Sequence, residues 1–215
     1  MFIGHFGLGL GMKKATPVIS LGLLFIAVQF VDLLWPTLLL LDIEHVVITP
    51  NGVTPLDFVD YPITHSLLTV LGWGFLFGFV YWLFKKNVKN AIILGALVVS
   101  HWFIDLIVHM PDLPLYPGDS PKVGFGLWNY FWITAILEGI IYIIGVRYYL
   151  LATSAKNAAG KYGLWTLVIL LALIHLSSGL GPPPPSVSAL AWSAQLQWVF
   201  VLFAFWVDRN REARN

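Results

Sequence analysis

Cysteine is absent from the 215 residues, which excludes disulfides, thiolate metal sites and a cysteine nucleophile. Charge is scarce: 11% of residues are Asp, Glu, Lys or Arg, and the net charge is +1. A soluble domain carries roughly a quarter charged residues, and so even a balance points neither to nucleic acid nor to an acidic partner. No period-two alternation marks a strand in the apolar runs, and no repeat supports the inverted-repeat plan of transporters. G-x-S-x-G and Walker-type motifs are missing, so a serine mechanism and nucleotide use have no support. Met1 to Met12 hold no basic residue ahead of their apolar part and no small-x-small cleavage site, so no cleavable signal is expected.

What is present is apolar. Hydrophobic residues make up 58% of the chain, and the mean hydropathy is +0.80. Ten Trp and eight Tyr suit the interfacial belts of a bilayer protein. A crossing helix needs roughly 20 apolar residues. The expected spans are Pro17–Leu41, Ile63–Phe84, Asn90–His109, Gly126–Leu150, Gly163–Leu180 and Ser188–Val207. The fold class expected is therefore all-α: a polytopic transmembrane helical bundle of about six spans, forming one integral membrane domain over residues 1–215.

Lysine and arginine alternate in sidedness. Lys13 and Lys14 precede the first span; Lys85, Lys86 and Lys89 join the second to the third. Arg147, Lys156 and Lys161 join the fourth to the fifth, and Arg209, Arg211 and Arg214 follow the sixth. The alternate loops hold only Lys122. The positive-inside bias puts both termini in the cytoplasm, and the location expected is a bacterial inner membrane.

Ionisable residues within spans are costly and mark functional candidates. They are His5, Asp32, His65, His101, Asp105, Glu138 and His175. At about 1.5 Å per residue, Asp32 lies roughly 27 Å from the inner face, with His101 and Asp105 roughly 18 and 24 Å up. His65 opens a span that enters from outside, so these four share the outer half. "FIGHFGLGLG" is too short to span, but as an N-terminal half-helix it would carry His5 roughly 12–14 Å up, with its glycines allowing close packing. Pro36 frees a carbonyl one turn earlier, near Asp32.

The stretch "SHWFIDLIVHMPD" sets His101, Asp105 and His109 four apart on one helix face. His101 and Asp105, about 6 Å apart along the axis, can grip one ion together, whereas His109 lies roughly 12 Å from His101. His109 is therefore read as serving a second metal or a substrate, as is His175. Imidazole nitrogen with carboxylate oxygen suits zinc, whose catalytic sites keep a position open for water. A His–Asp pair that only fixes helix packing is the competing reading. Asp112 and Asp119 read as loop charges.

Several of these strings occur together in one family. "GH" at Gly4–His5, Asp32 late in the first long helix, "THS" at Thr64–Ser66 and "SHxxxD" at Ser100–Asp105 followed by a "PLxxP"-type segment resemble the membrane-bound metal-dependent hydrolases, the YdjM-like group. The resemblance runs from His5 to about Pro117 and is strongest at "SHWFIDLIVHMPDLPLYPG" and "YPITHSLL". It implies a metal site drawn from His5, Asp32, His65, His101 and Asp105. The H-x-x-x-D pair is also similar to one in zinc-dependent phospholipases C. The chain departs from the group in places. "DYPITHS" stands where the group commonly has "HRGxTHS", with Asp60 in place of the first histidine and Tyr61 in place of the arginine. "VDLLW" keeps only Asp32 of a "PDxDH" string. "LDIEH" is closer to that string letter by letter, but Asp32 fits the distance and depth better.

The function expected is a metal-dependent membrane hydrolase. It would act on a phospholipid or lipid-linked phosphate or ester near the outer leaflet, with a divalent ion, zinc by donor type. Asp60, Glu44 and Glu138 are the candidate general bases, given a carboxylate within about 3 Å of the reacting water. A small transporter or channel for metal ions or protons is the alternative, because Asp, Glu and His within spans also mark ion paths. A non-enzymatic scaffold or assembly subunit is the third reading.

Overall fold

The computed structural model describes residues 1–50 and 54–214. The described residues form ten α-helices. They are α1 (Ile3–Met12), α2 (Leu21–Val28), α3 (Phe30–Leu40), α4 (Pro62–His65), α5 (Leu67–Lys85), α6 (Val88–Val108), α7 (Phe131–Ala152), α8 (Ala158–Leu180), α9 (Val187–Gln195) and α10 (Gln197–Arg209). Helices α5, α6, α7 and α8 are each long and apolar enough to cross a membrane, as is α9 with α10 over Val187–Arg209. The bent pair α2–α3 makes a sixth span if counted as one. The chain is a helical membrane protein of the class its composition predicts.

Side-chain caps start five of the ten helices, each with Ser or Asn at the N-cap. Ser20, Ser66, Asn87, Asn157 and Ser186 each accept a hydrogen bond from the backbone N–H three residues on, satisfying a donor that the first turn leaves free. The Asn157 cap starts α8 at Ala158, ahead of the expected Gly163. The Ser66 cap separates α5 from the short α4, so the second expected span is a broken one.

The first expected span, Pro17–Leu41, is not one helix. It starts at Leu21 and bends by 59° between α2 and α3. The break falls at Gln29, with φ −104° and ψ 11°, whereas Pro36 lies within α3. Gln29 is wholly buried, and its Nε2 donates to Gln197 Oε1 at 2.9 Å. The proline acts as expected on the carbonyl one turn earlier: Asp32 O is approached by Gln197 Nε2 at 3.5 Å.

α1 is the half-helix the sequence suggests. It packs in the interior against α7, with His5, Phe6 and Leu10 fully buried. Glycines permit the approach: a Cβ at Gly7 would lie 2.7 Å from the Tyr142 Cα, and one at Gly145 would strike the Gly7 carbonyl. Phe6 and Leu10 join Phe25, Tyr149, Leu164 and Val201 in the largest apolar cluster. Gly74, Gly78 and Gly95 bring α5 and α6 together in the same way.

Among the described residues, strands occur only as short antiparallel ribbons outside the spans. β1 (His45–Ile48) pairs with β2 (Leu56–Asp60), and β3 (Leu113–Pro114) with β4 (Lys122–Val123). β5 (Thr153–Ala155) pairs with β6 (Arg211–Ala213) at the basic end. There Lys13 Nζ donates to Ile19 O at 2.7 Å and to Asp208 Oδ2 at 2.8 Å.

Candidate metal centre

His101 and Asp105 lie one turn apart on α6, with Nε2 and Oδ2 at 3.1 Å. The α2–α3 bend brings Asp32 beside them, its Oδ1 at 3.5 Å from His101 Nε2. His65, the last residue of α4, adds its Nε2 at 3.4 Å from the same Asp32 oxygen and 4.0 Å from Asp105 Oδ2. α1 supplies His5 from below. Its ring stacks on His101 at 3.7 Å between centroids, and its Nε2 is 3.0 Å from Asp105 Oδ1. The Met1 amino nitrogen is hydrogen-bonded to that same oxygen.

The outward bonds of the imidazoles fix which nitrogen faces the cluster. His101 Nδ1 is 2.8 Å from the Val28 carbonyl, at the helix break. A carbonyl only accepts, so Nδ1 carries a proton, and in the neutral ring Nε2 holds the lone pair that a cation would take. His65 Nδ1 is 2.7 Å from Thr64 Oγ1, whose own proton goes to Glu44 Oε2 at 2.6 Å. His109 Nδ1 is 2.9 Å from Asp112 Oδ1, and its Nε2 lies 3.9 Å from Asp105 Oδ2. Three imidazoles thus turn their Nε2 atoms toward two carboxylates, the arrangement by which outer hydrogen bonds orient metal-bound histidines.

An imidazole nitrogen facing a carboxylate oxygen needs a proton or a cation between the two. The buried His101 Nε2 and His5 Nδ1 have no hydrogen-bond partner among the described residues. His5, His101 and Asp105 form one group, and Asp32, His65 and His101 another, in each of which the donor atoms lie within 4.8 Å of one another. Ligands about 2.0–2.2 Å from a tetrahedral ion sit about 3.3–3.6 Å apart, so these donor spacings fit a divalent cation.

The other expected site residues separate. Glu44, only 1% exposed, accepts from Ile63 N at 2.7 Å and Thr64 N at 2.8 Å as well as from the Thr64 hydroxyl. Both oxygens of Glu44, expected as a candidate general base, are engaged in capping α4. Asp60 is exposed on the β1–β2 ribbon, its Oδ2 3.7 Å from His45 Nδ1, and it does not line the cleft. Glu138 is buried on α7, where Oε2 accepts from Phe2 N at 2.9 Å and Gly4 N at 3.2 Å. His175 Nδ1 lies 4.0 Å from that oxygen. His109 caps the end of α6, and its i, i+4 offset from Asp105 brings it to the edge of the cluster. Asp112, read from sequence as a loop charge, accepts from both His109 and the Tyr61 hydroxyl, the latter at 2.9 Å. Burial and the adjacent Asp112 hold the Tyr61 phenol well above its usual pKa, so it stays a donor. The i, i+3 spacing of His109 and Asp112 was the signal available for this pair.

A cleft of about 500 Å³ opens onto the cluster. Asp32, His65, Asp105 and His109 contribute to its floor; Glu138 and His175 lie along one side. Trp35, Phe58, Trp128 and Phe131 provide aromatic wall. Its rim includes Thr54, Pro55 and Pro183 from the proline-rich loops.

Residues 42–180 match the family described as YdjM inner membrane protein, which is more than half of the chain. The match takes in His65, His101, Asp105 and His109 and starts after His5 and Asp32, which only the fold brings to the cluster. No curated protein matches, and no solved structure matches.

Proposed function

The chain belongs to the YdjM inner membrane protein family, and from that membership and the geometry of the cluster we propose that it is a metal-dependent hydrolase of a membrane lipid or lipid-linked phosphate or ester. The observation that carries this reading is the set of three imidazoles with Nδ1 tied outward and Nε2 turned toward Asp32 and Asp105, of which His65, His109 and both carboxylates line an aromatic cleft. His65, His101, Asp105 and Asp32 would hold a divalent ion, with His5 beside them. Zinc is the ion this mixture of nitrogen and oxygen donors suits. When bound, such an ion supplies Lewis acidity and lowers the pKa of a coordinated water toward neutrality.

The rest falls to the chain. Val28 O and Thr64 hold the rings of His101 and His65 in place. Trp35, Phe58, Trp128 and Phe131 exclude water and give an acyl or prenyl chain an apolar wall. His109, anchored by Asp112, presents Nε2 beside Asp105, where it can hold or take a proton. The loops at the cleft rim hold a single lysine, Lys122, which supports a site facing the outer leaflet within one integral membrane domain. Towards the basic end, Leu24, Ala27, Val28, Leu94, Leu97 and Val98 pack into a buried apolar plug. That plug weighs against a continuous ion path, and so against a transporter.

The test is metal analysis of protein purified in detergent without chelator, for wild type, His101→Ala and Asp105→Asn. Stoichiometric metal in wild type, lost in both folded variants, is expected, followed by turnover in a screen of lipid phosphates. A metal-free wild type would overturn the reading.

A further inference from the structure

The charge of the cleft narrows what it can take. Its lining includes Asp32, Asp105 and Glu138, and neither lysine nor arginine. Residues 15–84, 90–121, 123–146 and 162–208 contain no Lys or Arg at all. Lys122, the basic residue of the outer loops, is not in the lining and spends its ammonium on Val59 O at 3.1 Å. An anionic head group entering here meets no lysine or arginine, only the imidazoles of His65, His109 and His175 and a Met1 amino group already paired with Asp105.

Glu138 differs from the other two carboxylates. Asp32 and Asp105 face the imidazoles and, for Asp105, the Met1 amino group. Glu138 is 2% exposed and gives Oε2 to the backbone N–H groups of Phe2 and Gly4. Its Oε1 has no hydrogen bond among the described residues, although Glu138 lines the cleft. Oε1 is not among the fully buried polar atoms that lack a partner, so it is open to the cleft and free to accept from a ligand. It lies on one stripe of α7 with Phe131, Thr134 and Ala135, all of which line the cleft. The Phe2 ring, stacked on His175 at 6.4 Å between centroids, lines it as well. A carboxylate flanked by aromatic faces is the chemistry that recognises an organic ammonium.

We infer that Glu138 and its aromatic neighbours form an ammonium subsite, and that the cleft takes a zwitterionic phospholipid with an amine in its head group rather than an anionic lipid. The inference rests on the lipid-phosphate reading above for the placement of the phosphate over the His/Asp cluster. The amine then lies toward Glu138, across the same cleft.

The experiment is equilibrium binding of short-chain phosphatidylethanolamine and phosphatidylglycerol with identical acyl chains, read by native mass spectrometry on the purified protein. Wild type should prefer phosphatidylethanolamine by at least about tenfold, which is about 1.4 kcal/mol. Glu138→Gln should bring the two lipids to near equality, and so should Ala135→Lys, which keeps the Glu138 bonds to α1 but offers Oε1 an internal ammonium. Equal or tighter binding of phosphatidylglycerol by wild type overturns the inference, a result that needs no variant to fold. An undiminished preference in folded Glu138→Gln overturns it as well. Metal content measured on the same samples separates the two proposals. A metal-free protein that still shows the Glu138-dependent preference keeps the subsite and loses the hydrolase. A metal-loaded, active protein without the preference does the reverse.

Discussion

Thr64 has a hydroxyl with one proton and two obligations. It donates to Glu44 and accepts from His65 Nδ1, so the tautomer of His65 is set through a residue that does not itself line the cleft. Outer partners of metal-bound histidines typically contribute 10–100-fold in affinity. Thr64→Val should therefore weaken metal binding by about that factor, while Thr64→Ser, which keeps the hydroxyl, should bind like wild type in a competition titration against a chromophoric chelator. Equal affinity for the two variants would remove Thr64 from the site. At this scale the sequence was readable where chemistry and helix spacing coincide. His101 and Asp105 follow from their i, i+4 offset, and Asp32 follows from counting depth. The tasks of Glu44, Thr64 and Asp112 depend on contacts made only after folding, and no local pattern announces that a carboxylate in a loop will cap a distant helix.

Helices here are interrupted where the site needs them to be. The bend at Gln29 exposes the Val28 carbonyl to His101, and the break at Ser66 ends α4 with His65 aimed inward. Hydropathy located these segments because greasy length suffices for a span. It was blind to the breaks, since Gln29 is an ordinary helix former held bent by Gln197 from the far end of the chain. Pro36, the conspicuous breaker, stays within α3. α1 depends on glycine for its place. Gly145→Val would push side-chain atoms into the Gly7 backbone, and overpacking of this kind costs about 1–3 kcal/mol. The variant should show a lowered thermal midpoint in detergent together with weaker metal binding, because His5 moves with α1. A variant with wild-type stability and metal affinity would mean that α1 packs elsewhere.

For the whole molecule, sidedness is the property that composition makes plainest and that coordinates alone do not display. The absence of native cysteine makes labelling straightforward. In intact spheroplasts, Val47→Cys on the outer ribbon should react with a membrane-impermeant maleimide, and Arg214→Cys near the chain end should react only after lysis. The opposite pattern would invert the molecule and put the cleft in the cytoplasm. Orientation also bears on how the protein is made. The surface that receives α1 belongs to α7, which is synthesised more than a hundred residues later. α1 is too short to be held by the bilayer as a span, so it docks only once its berth exists. The His5 side of the cluster is thus completed late, and the loading of the proposed ion would be a checkpoint on finished topology rather than a step that helps the chain insert.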